Sequence, residues 1–183
     1  MKFPKKILAL LLVLALTFGI SLTSFAATPG EANLTITYSG NTITQQYTTL
    51  PGVLRTNMPS NAENQTSCTA ADIILKYATD NSVAIVSNWD TYNVNPDNTI
   101  GMYISSFYGL APVNNYQLLN YNPYTGKYTY KWTGSYWQLS INGSPASYYA
   151  THYPIDLSVG MDISFDYIVD NVGYTFQTTY PIP

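Results

Sequence analysis

Aromatic rings supply most of the chemistry that this sequence offers. Of its 18 Tyr residues, eleven lie between Tyr103 and Tyr153, interleaved with Trp132 and Trp137. A phenol has an apolar face and a polar edge, which suits it to gripping flat or amphipathic molecules such as sugar rings and macrocycles. The same rings can instead fill the faces of a sheet. Tyr130, Trp137 and Phe165 fall at regular strand positions and read as packing residues. Tyr116, Tyr121, Tyr124, Tyr148 and Tyr149 fall in segments that read as loops, where both roles stay open. With Trp132, Tyr136 and Tyr153 they form the candidate ligand-binding set, on a rim expected from residues 109–126 and 144–153.

Acid–base and metal chemistry are thinly provided. Asp156, Asp162, Asp166 and Asp170 invite a calcium reading, but the last three lie on the polar face of one expected strand. A strand carries such residues about 7 Å apart for every two positions, which suits a solvated face better than a cage. No Asp-x-Asp-x-Asp-Gly loop is present, so no metal is expected. His152 is the sole histidine, and a catalytic triad or zinc centre needs more partners than that. Cys68 precedes a helix start, where amides and the helix dipole can lower a thiol pKa. It reads as a nucleophile, half of a thioester, an intermolecular disulfide site, or simply a small half-buried residue. Lys76, Lys127 and Lys131 raise the question of a Lys–Asn cross-link, which an intact mass would answer. No catalytic residue and no cofactor is assigned, and the chain is not expected to be an enzyme.

The elements that must hold these groups are mostly strands. Leu34–Tyr38 alternates at period two, turns at Ser39-Gly40-Asn41, and alternates again through Ile43, Gln45 and Tyr47, predicting a hairpin. Residues 48–67 read as loop. Thr69 can cap a helix, with Asp72 three residues on. Ala70, Ile73, Ile74, Tyr77 and Ala78 recur at helical spacing, and Asp80-Asn81 ends the run. This helix is expected to lay Ile73, Ile74 and Tyr77 on a sheet. Val83–Val86 reads as a short strand or a buried run and Gly101–Tyr108 as a strand, with a turn at Asn93–Asn98. Residues 109–126 read as a long loop. Lys127–Trp132 and Tyr136–Ile141 read as two strands paired across Thr133-Gly134-Ser135. Asn142-Gly143 predicts a type I′ turn. Met161–Val169 and Tyr174–Tyr180 read as a last hairpin around Asp170–Gly173. The pattern is α+β, with one helix on a β-rich mixed sheet.

The N-terminus reads as a leader. Lys2, Lys5 and Lys6 precede an uncharged apolar run, Ile7–Leu22, and Ser24-Phe25-Ala26 places the cut after Ala26. No later run approaches the roughly 20 apolar residues that span a bilayer. The remaining 157 residues fit one domain, 27–183. They carry four Lys and Arg against ten Asp and Glu, a net charge of −6. Four scattered cations cannot neutralise a row of phosphates, which disfavours nucleic acid and anionic membranes as partners. With a single cysteine there is no internal disulfide, so burial and hydrogen bonds must hold the fold. A freely secreted, extracellular protein is expected.

Several stations along the chain resemble a known family. Thr69-Ala-Ala-Asp72-Ile73-Ile74-Leu75 resembles a Thr-Ala-x-Asp-x-Leu helix start. Gly101-Met-Tyr103-Ile-Ser-Ser is similar to the strand that follows it. Trp137 to Asn142-Gly143 resembles Trp-x-x-x-Val-Asn-Gly, and Gly160–Tyr167 resembles Gly-Asp-x-Ile-x-Trp-x-Tyr, with Met161 for Asp and Phe165 for Trp. Together these resemble the bacterial counterparts of the C-terminal domain of transcobalamin and intrinsic factor. The resemblance implies a β-grasp-like domain, a Gram-positive source, no catalytic residues, and a soluble ligand such as a corrinoid. The animal proteins add a helical-barrel domain to bind cobalamin, and no such domain is expected within these residues. The expected function is a secreted, non-enzymatic module for a flat or macrocyclic small molecule. The competing expectation is a surface module that contacts glycan or other proteins through a Tyr-rich face.

Overall fold

The structure is a computed structural model that describes residues 27–91 and 97–182. The expected leader, residues 1–26, lies outside the described residues, as do residues 93–96 of the expected Asn93–Asn98 turn.

The first two strands, β1 (Ala32–Tyr38) and β2 (Asn41–Tyr47), form the expected antiparallel hairpin. The chain then runs through an irregular stretch to helix α1 (Ala70–Asp80), the one α-helix of the described residues. Strands β3 (Ile85–Trp89) and β4 (Met102–Phe107) pair antiparallel as a small separate sheet. Strands β5 (Val113–Asn122), β6 (Lys127–Ile141), β7 (Ser144–Pro145) and β8 (Met161–Thr178) complete the main sheet. Its order is β2-β1-β8-β6-β5, with β7 on the far end of β6. β1 runs parallel to β8 and every other pairing is antiparallel. The sheet is therefore mixed, and the fold is α+β and β-rich.

Register explains the core. Leu34 pairs with Ile163 and Ile36 with Phe165 across β1 and β8, while Leu139 and Ile141 face the same two residues from β6. One face of three strands is thus apolar. Ile73, Ile74, Tyr77 and Ala78 of α1, with Met102, Ile104 and Phe107 of β4, join that face in one buried cluster. Phe107 is wholly buried and meets the rings of Trp137 and Phe165 edge-on, at 5.6 and 5.7 Å. Trp137 stacks on Phe165 at 4.7 Å.

Three sequence expectations need correction. Residues 113–122 are not loop: they form β5, paired to β6 from Val113–Ser135 to Asn122–Lys127. Its Asn- and Tyr-rich run has no buried face of its own, so no hydrophobic alternation announced it. The two strands expected between Lys127 and Ile141 are one 15-residue strand. Gly134 packs against the Val113 carbonyl and the Trp132 ring instead of turning the chain. Met161–Thr178 is likewise one strand and not a hairpin. Asp170 Oδ1 accepts from the amides of Val172 and Gly173 at 3.0 and 2.7 Å, which turns the expected turn into a bulge opposite Thr133.

Candidate ligand-binding site

The helix start anchors what lies around it. Thr69 donates its amide and its hydroxyl to Asp72 Oδ2, at 2.8 and 2.9 Å. That carboxylate also accepts the Leu54 amide at 2.7 Å and pairs with Arg55 Nε at 3.1 Å. Arg55 and Asp72 are both buried. The remaining guanidinium nitrogens donate to the carbonyls of Glu63, Asn64 and Ser67 at 2.7–3.0 Å. Every guanidinium nitrogen thus donates a hydrogen bond, the kind of pairing that lets a buried ion pair be tolerated.

This network reaches a cleft. Glu63 Oε2 accepts from Thr151 Oγ1, and Glu63 Oε1 lies 3.0 Å from His152 Nδ1. Thr151 Oγ1 in turn accepts the Met102 amide at 3.0 Å. The segment 144–153 is thereby tied to β4. His152 stacks on Tyr148 at 4.2 Å. The Tyr153 hydroxyl accepts the amides of Ser147 and Tyr148 at 3.0 and 3.2 Å. Tyr149 donates its hydroxyl to Asp90 and lies against Gly101. A Cβ on Gly101 would fall 2.2 Å from the Tyr149 ring, so only glycine lets the ring sit there.

The cleft measures about 650 Å³, within the size range of small-molecule sites. It lies between β4, the outer edge of β6 and the segment 145–150. Its walls are Met102, Tyr103, Ile104, Pro112, Tyr136, Trp137, Gln138, Leu139, Pro145, Ala146, Tyr148, Tyr149, Ala150 and Phe165. None of these carries a charge. Trp137 Nε1 donates to the Leu110 carbonyl at 2.8 Å and the Tyr167 hydroxyl to the Ala111 carbonyl at 2.9 Å. Those bonds fix the approach of Pro112.

The eight residues singled out in the sequence therefore divide. Tyr136, Tyr148 and Tyr149 line the cleft, and Tyr153 braces its rim. Tyr116, Tyr121 and Trp132 lie on the β5–β6 ribbon, away from it. Tyr124 sits beyond the end of β5, before β6 begins, and is 97% exposed. On the ribbon, paired rows align rings: Tyr116 with Trp132 and Tyr174, Leu118 with Tyr130 and Phe176, Tyr121 with Tyr128. Neighbouring ring centroids lie 4.5–6.3 Å apart from Tyr121 through Tyr128, Tyr130, Phe176, Tyr174 and Trp132 to Tyr136. Tyr130 and Trp132 are the buried members. Met102, Tyr103, Trp137, Pro112 and Pro145 were not singled out as site residues in the sequence. The two prolines carried a readable signal, since a residue without an N–H tends to mark where strand pairing stops.

Other candidates resolve differently. Cys68 is buried, and burial first, then the Asp72 charge, pushes its thiol up to about 11, with Arg55 opposing. The lowering expected at a helix start does not win. Among the described residues no group of three or more His, Cys, Asp or Glu is placed to hold a metal, and no helix is long and apolar enough to cross a membrane. Asn142 and Gly143 both have positive φ, 50° and 77°, as the expected type I′ turn requires. Compared with known proteins, the chain matches no family model, no curated protein and no solved structure.

Proposed function

We propose that this chain is a secreted, non-enzymatic binding module whose cleft between β4 and β6 takes a soluble molecule with a flat apolar surface. The observation that carries the reading is the cleft itself: six aromatic rings and no charge around about 650 Å³, braced by a buried polar network and not left to loop packing. We read the fold as β-grasp-like. An opening hairpin, a helix after it, and a first strand parallel to the last at the middle of the sheet support that reading. The likeness to the C-terminal domain of transcobalamin and intrinsic factor stays a resemblance of short motifs, and a corrinoid is the first ligand to try. A thermal-shift screen with corrinoids, haem and simple sugars tests the reading. A ligand that raises Tm for the native chain, and not for a Tyr148→Ala/Tyr149→Ala variant, supports it. A ligand whose effect survives that change places binding elsewhere.

The ribbon supplies the observation behind a second reading. Tyr116, Tyr121, Tyr136 and Tyr174 are exposed on one sheet face, and rows of rings on a flat face suit stacking against sugar rings. Retention on cell-wall polysaccharide, lost on replacing Tyr116, Tyr121 and Tyr174 by Ala and kept by the Tyr148→Ala/Tyr149→Ala variant, would favour it.

A further inference from the structure

The floor of the cleft is a break in strand pairing. β5 covers the outer edge of β6 up to Ser135, opposite Val113, and β7 covers it again from Ser140, opposite Pro145. No described strand covers Tyr136–Leu139 on that side. The Ala146 amide donates to the Leu139 carbonyl at 2.9 Å, so Leu139 bonds outward. In an antiparallel ladder, residues that bond toward one neighbour alternate with those that bond toward the other. Trp137, two positions earlier, therefore presents its N–H and C=O to the gap. Pro112 and Pro145 stand at its two ends, and Pro112 offers it no N–H donor. An uncovered run of ladder backbone is a template for another strand.

We propose that the occupant of the cleft is an extended peptide segment that pairs with β6 at Trp137 and bridges β5 and β7. The proposal rests on the reading of the cleft as the binding site and names its ligand class. Both bracketing strands run antiparallel to β6, so a guest in line with them runs antiparallel too. Ala146 already bonds Leu139, so the open gap lies opposite Tyr136–Gln138 and spans about 10 Å at roughly 3.4 Å per residue, which admits three residues of a longer segment. Alternate side chains of such a guest would turn toward Tyr148, Tyr149 and Met102. The walls carry no charge, so the segment is apolar and internal to a chain, without a free terminus.

The test uses hydrogen exchange of the Trp137 amide in the isotopically labelled chain. One probe is a pool of blocked tetrapeptides built from Ile, Leu, Val, Phe and Tyr. The other is the same pool N-methylated at every amide, which keeps the apolar surface and removes the edge donors. The first pool is expected to slow Trp137 exchange at least tenfold and the second to leave it unchanged. Equal effects of both pools, or no effect of the first, overturn the proposal. If both pools shift the ring signals of Tyr148 and Tyr149 alike, the cleft stands as a binding site while the edge does not. If neither pool moves those signals, and no compound in the thermal-shift screen does, the cleft reading falls too.

Discussion

Cys68 and Asp166 show burial deciding what a residue can do. Cys68 sits where a helix start favours a thiolate, yet its thiol is raised to about 11 because the charged form loses its water and faces Asp72. At pH 7.5 the group is a neutral thiol packed in the core. A small thiol-specific reagent is expected to leave the native chain unlabelled over hours and to label it fully in denaturant. Fast native labelling would contradict this. Asp166 is also raised, by burial, with the Thr37 hydroxyl at the paired β1 position offsetting part. Neither Thr37 Oγ1 nor Asp166 Oδ1 completes a hydrogen bond. The folded chain therefore holds the Asp166 proton to higher pH than the unfolded chain does. Stability falls as pH rises from the ordinary carboxylate value through the folded one. Asp166→Asn removes that loss. Thermal unfolding should show a higher Tm for the variant at pH 7, with the advantage shrinking by pH 3.5. A lower Tm at pH 7 would mean that the carboxylate has an attractive partner.

Elements differ in how openly the sequence declares them. The first hairpin and α1 were legible because their signals are local: period-two alternation around Ser39-Gly40, and Thr69 with Asp72 ahead of Ile73 and Ile74. β5 was not, since Asn114, Asn115, Gln117 and Asn120 show neither period and the strand exists because β6 lies beside it. Gly134 and Asp170–Gly173 looked like turns because sequence shows a residue's freedom and not the neighbour that uses it. The same holds for Gly101, where the close approach of Tyr149 is a tertiary fact. Gly101→Ala should displace that ring and break its bond to Asp90. Overpacking of this kind costs about 1–3 kcal/mol, so a modest loss of stability in urea is expected, with at least tenfold weaker binding of any cleft ligand. Unchanged affinity would show that the Tyr149 wall is not used. Arg55 was legible as a cation and nothing more, because its partners lie 8 to 17 residues away. Arg55→Met leaves Asp72 buried and uncompensated, and removing one partner of such a pair costs about 3–5 kcal/mol. Urea unfolding monitored by tryptophan fluorescence measures the loss. A change under 1 kcal/mol would mean that the network is not what holds the 52–68 stretch to the helix.

At the scale of the whole molecule, the central fact is that the aromatic residues form two territories. The sequence gathers most of them into one interval, Tyr103 to Tyr153, and suggests one rim. The sheet separates them, because β5 and β6 carry their rings out along a ribbon while the segment 144–153 folds back against β4. Tyr148 and Tyr149 sit in a cleft tied to Glu63, Thr151 and Asp90; Tyr116, Tyr121 and Tyr174 lie on paired strand rows. The two groups share no hydrogen bond and no ring contact among the described residues. Tyr136 alone touches both, as a cleft wall and 6.2 Å from Trp132. Substitutions at sites without shared partners add in free energy to within about 0.5 kcal/mol. Tyr148→Ala/Tyr149→Ala and Tyr116→Ala/Tyr121→Ala/Tyr174→Ala should therefore be additive in urea unfolding. They should also be selective in binding: the first pair abolishes a cleft ligand and spares polysaccharide retention, and the second set does the reverse. Tyr136→Ala should weaken both. One ligand lost equally in both sets would mean that cleft and ribbon form a single continuous surface, with Tyr136 as its middle and not its border.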